Sequence, residues 1–491
     1  MNMTNWSDRE PLRILVAIAS YGTSNDRYLE RIISEYRSMP FAVDVVVLSN
    51  IDKGSALGVE CRVGLPAKNP WSLPFAHKKL FVERRDRYDL FVYSEDDILI
   101  SERNLRAWLE VSATLAQDEI AGFLRVEFGR SGERSFPDAH AHFHWEPSSI
   151  RHRGGYVLAY FTNEHAACYV LNREQLGKAL NSGGFDVAPH ESKYDLLCTA
   201  ATDPYTRCGL TKLIPVSHLE EFTVHHMSNR YIGKMGVAAE EFGQQTQALL
   251  QIGRAADRPQ PLLATETKLF RAAYSKDYYE PVTQQVMALI PHSARSVLSI
   301  GCGSGAIERR LLEKGLRVAA IPLDPVIAGG AAAHGIEMIY DDVAKGEFKR
   351  RDLFDCILCL NLLHLAREPQ ELLSSLRGFM HRGSTLVIQA PNMMSLRELR
   401  RHLKQGARSM LFSDYETAGA HFSSVRSLRN WCANSGFKVE RMFGVLAPAG
   451  EGMLGAVASV GAYLPQPISY PLATSIVARA TKMQKDEREL A

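Results

Sequence analysis

The chain has 491 residues, more than one ordinary hydrophobic core accommodates, so two or three domains are expected. Hydrophobic residues at 46% and charged residues at 23% are the proportions of a water-soluble globular protein. A net charge of +2 gives no basis for bulk nucleic-acid binding, so a nucleic-acid partner is not expected.

Met1–Glu10 is polar and lacks the apolar stretch of a secretory signal. Leu12–Ser20 is an apolar, β-branched run that ends in Tyr21-Gly22-Thr23. Asp26–Arg37 then places Tyr28, Ile32, Ile33 and Tyr36 at helical spacing, and Val43–Asn50 is a second buried strand. That order predicts a right-handed βαβ unit and an α/β domain. Lys78–Arg87 reads as a helix, and Tyr88–Ser94 as a strand running straight into Glu95-Asp96-Asp97. Consecutive carboxylates at a strand end repel unless a cation or hydrogen bonds compensate, and they suit Mg²⁺ or Mn²⁺ bridged to a diphosphate. The alternative is that they cap the helix expected over Ser101–Leu115.

This stretch resembles the acidic metal-binding motif of the GT-A-fold glycosyltransferases. The resemblance implies a nucleotide-sugar donor, with Ser20, Tyr21 and Gly22 lining its pocket and Asp96 contacting ribose or sugar. It implies a divalent metal on Glu95 and Asp97, with His225 or His226 from the segment Glu221–Ser228 as a further ligand. Gly183–Asp195 resembles the acceptor loop of that family. Glu191 and Asp195 lie four apart, so one helical face could carry both; either is a candidate base, with a capping or solvated role the alternative. His140, His142 and His144 alternate as on a strand, so they share one face and converge on a metal or an anionic acceptor, or else are solvated or singly hydrogen-bonded. Tyr231–Ala256 has a polar helical pattern.

Asp257–Pro261 reads as the start of a linker, and Lys268–Ile290 as leading helices of a second domain. Val297–Ile300 is a buried strand ending in Gly301, Gly303 and Gly305, and Ala306–Lys314 is helical. The glycines permit a sharp turn and close ligand approach, and the helix start offers free N–H groups. Val318–Leu323 is a second strand with Asp324 at its end, placed for the ribose hydroxyls of a nucleoside. The G-x-G-x-G spacing resembles motif I of the class I S-adenosylmethionine (SAM)-dependent methyltransferases. Tyr340–Val343, Phe354–Leu360, Asn361–Leu365, Gly383–Asn392 and Ser435–Phe437 resemble the later segments of that family. The resemblance implies SAM contacts from Ser299, Asp341, Asp342 and Asn361 besides the glycines and Asp324. Ser299 stands where the family usually has an acid that helps hold the methionine ammonium, which leaves that contact to backbone carbonyls or another side chain.

Cys356 and Cys359 share C-x-x-C spacing but fall within a buried strand, so core packing is expected rather than zinc or redox chemistry. Ser395–Ser413 is rich in Arg, Lys and His, either a cover that attracts an anionic acceptor or a solvated face. His421-Phe422-Ser423 followed by Val425–Asn434 resembles small-molecule methyltransferases of the type 11/12 sort, which makes His364 and His421 candidate bases. Leu454–Leu464 is short of the ~20 apolar residues of a membrane span and runs into Pro465. Pro471–Lys482 reads as the last, antiparallel strand.

The expectation is thus two α/β domains: a GT-A-like nucleotide-sugar domain over 1–256, a linker over 257–267, and a Rossmann-like class I methyltransferase domain over 268–491. The implied protein is a bifunctional enzyme of glycan synthesis, with bacterial surface polysaccharide the leading case. It transfers a sugar to a glycan or lipid-linked glycan and O-methylates a sugar, which would cap the chain. Its rival is a methyltransferase with a non-catalytic carbohydrate- or partner-binding front module. The expected compartment is the cytoplasm, with peripheral association at the inner membrane an open alternative.

Overall fold

A computed structural model of the protein describes residues 11–254, 262–340, 352–405, 410–446 and 470–483. The chain divides into two units, Met1–Arg258 and Pro259–Ala491.

In the first unit, the opening apolar run forms β1 (Arg13–Ser20), buried at every residue but the first. Helix α1 (Asp26–Ser38) buries Leu29, Ile32, Ile33 and Tyr36 on one face and returns the chain to β2 (Ala42–Ser49), parallel to β1. Next come β3 (Glu60–Val63), α2 (Ala76–Arg84), β4 (Leu90–Glu95), β5 (Ile98–Leu99) and α3 (Glu102–Ser112). Later in the unit lie β6 (Leu124–Phe128), β7 (Cys168–Asn172), α4 (Leu196–Thr206) and β8 (Thr223–His226). The main sheet has the order β7-β4-β1-β2-β3, with only β7 antiparallel. The central strands β1 and β4 are buried along all but one end residue each, as covered parallel strands are. A second sheet pairs β8 with β5 antiparallel and with β6 parallel, setting His226 opposite Ile98. That register carries a histidine to the acidic end of β4.

Three expectations fail in this unit. Residues 137–144 form turns rather than a strand: Ala141 has φ +53°, and Phe143 N–H donates to His140 O at 3.1 Å. The ring of His140 meets the Pro137 carbonyl and that of His144 the His142 carbonyl, so the three histidines share no face. The helix expected from Tyr231 spans Ala239–Arg254 among the described residues, after a turn and the short strand Val237–Ala238. Asp195 is the residue before α4 rather than within it.

The second unit contains β9 (Ser296–Cys302), α5 (Ala306–Glu313), β10 (Arg317–Pro322), β11 (Glu337–Met338) and β12 (Phe354–Leu360). There follow α6 (Pro369–Leu376), β13 (Met380–Pro391), α7 (Leu396–Gln405), α8 (Val425–Asn434), β14 (Phe437–Val445) and β15 (Ser475–Lys482). Seven strands form one sheet in the order β11-β10-β9-β12-β13-β15-β14, and only β15 runs antiparallel to its neighbours. The connections reverse direction between β9 and β12, which opens a crevice beyond their carboxyl ends. This is a Rossmann-like sheet with a C-terminal antiparallel hairpin. Leading helices over Lys268–Ile290 do not form. The segment holds only the turn Phe270–Ala272 and the helix Gln284–Met287, with positive φ at Arg271, Ala272 and Tyr274 and Pro281 between them. Cys356 and Cys359 are buried in β12, and burial pushes both thiols up to about 12.

Candidate functional sites in the two units

In the first unit, β4 delivers Glu95, Asp96 and Asp97 to one wall of a cavity of ≈ 270 Å³. The three acids have different surroundings. Asp96 accepts from Ser20 Oγ at 2.6 Å and Asn25 Nδ2 at 2.8 Å, while buried Lys53 donates to the same serine at 2.8 Å. Burial keeps Asp96 above the usual carboxylate range despite those donors. Asp97 lies 3.0 Å from His226 Nε2. Burial works to raise it, but the bond to His226 and the charge of that ring bring it below its ordinary value. The other ring nitrogen of His226 meets Glu127 Oε1 at 2.6 Å, so the imidazole bridges two carboxylates. Glu95 has no such relief: its Oε1 is buried without a hydrogen-bond partner, and burial followed by the charge of Asp97 pushes it up to about 8.

None of the three acids caps α3. Ser101 does, in a reciprocal capping box with Asn104. Ser20 lies buried beneath Asp96, Tyr21 is half exposed on the cavity rim, and Gly22 (φ +64°) donates to Asn50 Oδ1 at 2.8 Å. Trp71 and Arg230 also line the cavity, and the sequence reading missed both because neither falls in a patterned segment.

Successive strand residues face opposite ways, so only one of the two adjacent histidines reaches the acids. His225 turns to Phe128, ring centroids 4.7 Å apart. Among the described residues no group of three or more His, Cys, Asp or Glu side chains is arranged to hold a metal ion. The expected ligand set reduces to the Asp97–His226 contact with Glu95 on the same wall. The unpartnered Glu95 oxygen beside the Asp97 carboxylate is the electrostatic feature left of that set. The expected bases lie elsewhere: Glu191 is exposed on a loop, and Asp195 caps α4 by accepting Cys198 N–H at 2.9 Å. No helical face carries the pair, and neither residue lines the cavity.

In the second unit the three glycines serve different needs. Gly301 and Gly305 take φ +75° and +83°, where a side chain is strained. A Cβ on Gly303 would stand 2.1 Å from the Tyr278 carbonyl oxygen, which also accepts Ser304 N–H at 2.8 Å. The segment around Tyr278 therefore lies across the loop. The space left is ≈ 20 Å³, about one water molecule, lined by Lys276, Glu280, Ser299, Glu308 and Leu360 among others. Ser299 donates to buried Glu308 Oε1 at 2.5 Å. Asp324 is buried and accepts the N–H groups of Val326 and Ile327, each at 2.8 Å. Asn361, with φ +50°, donates to Glu280 Oε1 at 2.7 Å. Asp341 and Asp342 lie outside the described residues.

The two expected methyltransferase bases are engaged with backbone. His364 Nε2 meets Tyr274 O at 2.8 Å, and burial lowers its pKa to about 4. A carbonyl only accepts, so Nε2 carries the proton and the buried Nδ1 lone pair is unpartnered. His421 Nε2 meets Arg367 O at 2.9 Å, its N–H donates to His364 O at 2.7 Å, and its ring stacks on Tyr415. Neither ring lines the cavity over the glycine loop.

Residues 272–441 match a family model described as a methyltransferase domain. The second unit carries a methyltransferase domain. Solved structures similar to it include a SAM-dependent methyltransferase from Thermotoga maritima (20% identity, 40% of this chain, 86% of that one, TM-score 0.29). Another is a SAM-dependent methyltransferase from Mesorhizobium loti (18%, 40% and 95%, TM-score 0.29). A third is the N-methyltransferase NodS from Bradyrhizobium japonicum, solved with S-adenosylhomocysteine (15%, 41% and 85%, TM-score 0.28). No curated protein sequence matches the chain. Within the methyltransferase domain, sequence reasoning missed Lys276 and Glu280, whose i,i+4 spacing was absorbed into the leading helices.

Proposed function

We propose that the protein is a two-site enzyme of glycan synthesis, with SAM-dependent O-methylation in the second unit and metal-assisted glycosyl transfer from a nucleotide sugar in the first. The observation that carries the second-unit reading is the glycine loop, with Asp324 at the end of the adjacent strand, at the reversal point of the sheet. Bound there, SAM supplies an activated methyl group, and the protein's share is to align it with the acceptor oxygen. The first-unit reading rests on the acidic end of β4 meeting His226 beside a cavity rimmed by Tyr21 and Trp71. Those rings suit stacking on a nucleobase, and Arg230 suits a diphosphate. The acceptor is a glycan or lipid-linked glycan. Among the described residues no helix is long and apolar enough to cross a membrane.

Incubating the full chain with nucleotide sugars, Mn²⁺ and methyl-labelled SAM tests this. Sugar transfer and label in a glycan are the expected products; label found only in protein or RNA counts against the reading. A non-catalytic front module is the second reading, and the double engagement of His226 favours it. The two part on Asp97→Ala, which should abolish sugar transfer while methylation persists.

A further inference from the structure

SAM and its product end in an amino acid whose ammonium and carboxylate sit a few bonds apart. A site for that end needs an anionic acceptor and a cationic donor side by side. Motif I of this chain lacks its usual acid, because Ser299 stands there and its hydroxyl is spent on Glu308. A different pair of charges occupies the crevice. Lys276 Nζ, 3% exposed, donates to Glu280 Oε2 at 2.6 Å and to the Leu360 carbonyl at 2.7 Å. Asn361 fixes the other Glu280 oxygen at 2.7 Å.

The placement is specific. Leu360 ends β12 and Gly301 follows Ile300 on β9, the two strands between which the sheet reverses. The segment bearing both charges is pinned to the glycine loop by the hydrogen bond from Ser304 N–H to the Tyr278 carbonyl, and it is braced on itself by Thr265, whose hydroxyl lies 2.5 Å from the Tyr278 hydroxyl. Burying an ion pair costs desolvation free energy that the pair seldom recovers, so stability alone is a weak reason for it. An ammonium already sits between a carboxylate and a strand-end carbonyl, which marks those acceptors as an ammonium site.

We infer that Lys276 and Glu280 form the zwitterion clamp of the methyltransferase domain. Glu280 with the Leu360 carbonyl takes the ligand ammonium, Lys276 takes the ligand carboxylate, and Asn361 holds Glu280 in place. Here the two residues satisfy each other. This rests on the methyltransferase reading and replaces the missing motif I acid with a side chain from the segment that crosses the loop.

Calorimetric titration of the full chain with S-adenosylhomocysteine and with 5′-methylthioadenosine, which lacks the amino-acid end, tests it. Glu280→Gln and Lys276→Met should each weaken S-adenosylhomocysteine at least tenfold and change 5′-methylthioadenosine less than twofold; Lys276→Arg should keep most of the preference. Unchanged 5′-methylthioadenosine binding also shows that the variants are folded. Equal loss of both ligands in both variants assigns the pair to structure and overturns the clamp. Selective loss in Glu308→Gln, with Glu280→Gln silent, overturns it too. Wild-type protein that takes up neither ligand overturns the methyltransferase reading and the clamp together.

Discussion

Asp97 and Asp195 show how one residue type can do unlike work. Asp97 is buried against His226 on a cavity wall, whereas Asp195 spends its carboxylate on a helix start. Asp195→Ala should therefore cost about 1 kcal/mol of stability, the usual loss for an N-cap, and leave donor hydrolysis unchanged. Asp97→Ala should abolish the Mn²⁺-dependent rise in melting temperature with a nucleoside diphosphate. Gly303→Ala drives a methyl group into the Tyr278 carbonyl, so the loop-crossing segment must shift. The expected result is a loss of S-adenosylhomocysteine affinity of at least tenfold, with the nucleotide response of the first unit intact. Both are read by thermal shift or titration.

At the scale of elements, strands were more legible than their surroundings. Runs such as Leu12–Ser20 and Phe354–Leu360 are apolar because both faces of a parallel sheet are covered, so composition alone marks them. Lys268–Ile290 misled because helix-forming residues dominate it, yet tertiary hydrogen bonds such as Lys276 N–H to Thr265 O hold it irregular. The alternation of His140, His142 and His144 misled for a related reason: turns closed by Ala139 N–H to Phe136 O and by Phe143 N–H to His140 O override a period of two. The same limits applied to the sites. The acids after β4 and the glycines after β9 announced themselves, whereas the choice between His225 and His226 depended on strand register. One element-level device has a pH signature. Asp355 at the start of β12 accepts the N–H groups of Arg295 and Ser296 and lies 2.9 Å from His381 Nε2. Burial opposes ionisation, but these donors prevail and hold it at about 2. Its folded pKa lies below the unfolded value, so its stabilisation is present above about pH 4 and is lost as pH falls through about 2. Because the group is partly exposed, the contribution is of order 1 kcal/mol after screening. Asp355→Asn should lower the urea midpoint at pH 7 and make no difference near pH 2.

For the whole molecule, two units with separate cores predict two separable responses. A ligand at about 100 times its dissociation constant stabilises only the fold that binds it, by about 2.7 kcal/mol. S-adenosylhomocysteine should therefore raise one melting transition, and Mn²⁺ with the matching nucleoside diphosphate the other; a single transition moved by both would contradict this. The cysteines give each transition its own label. Cys302, Cys356, Cys359 and Cys432 are all buried in the second unit, and Cys168 and Cys208 are buried in the first. Burial keeps all six protonated and shielded, so an alkylating reagent should reach them only when their own unit opens. Mass spectrometry of peptides alkylated along a heating ramp would then report which half of the chain came apart first, with no engineered probe.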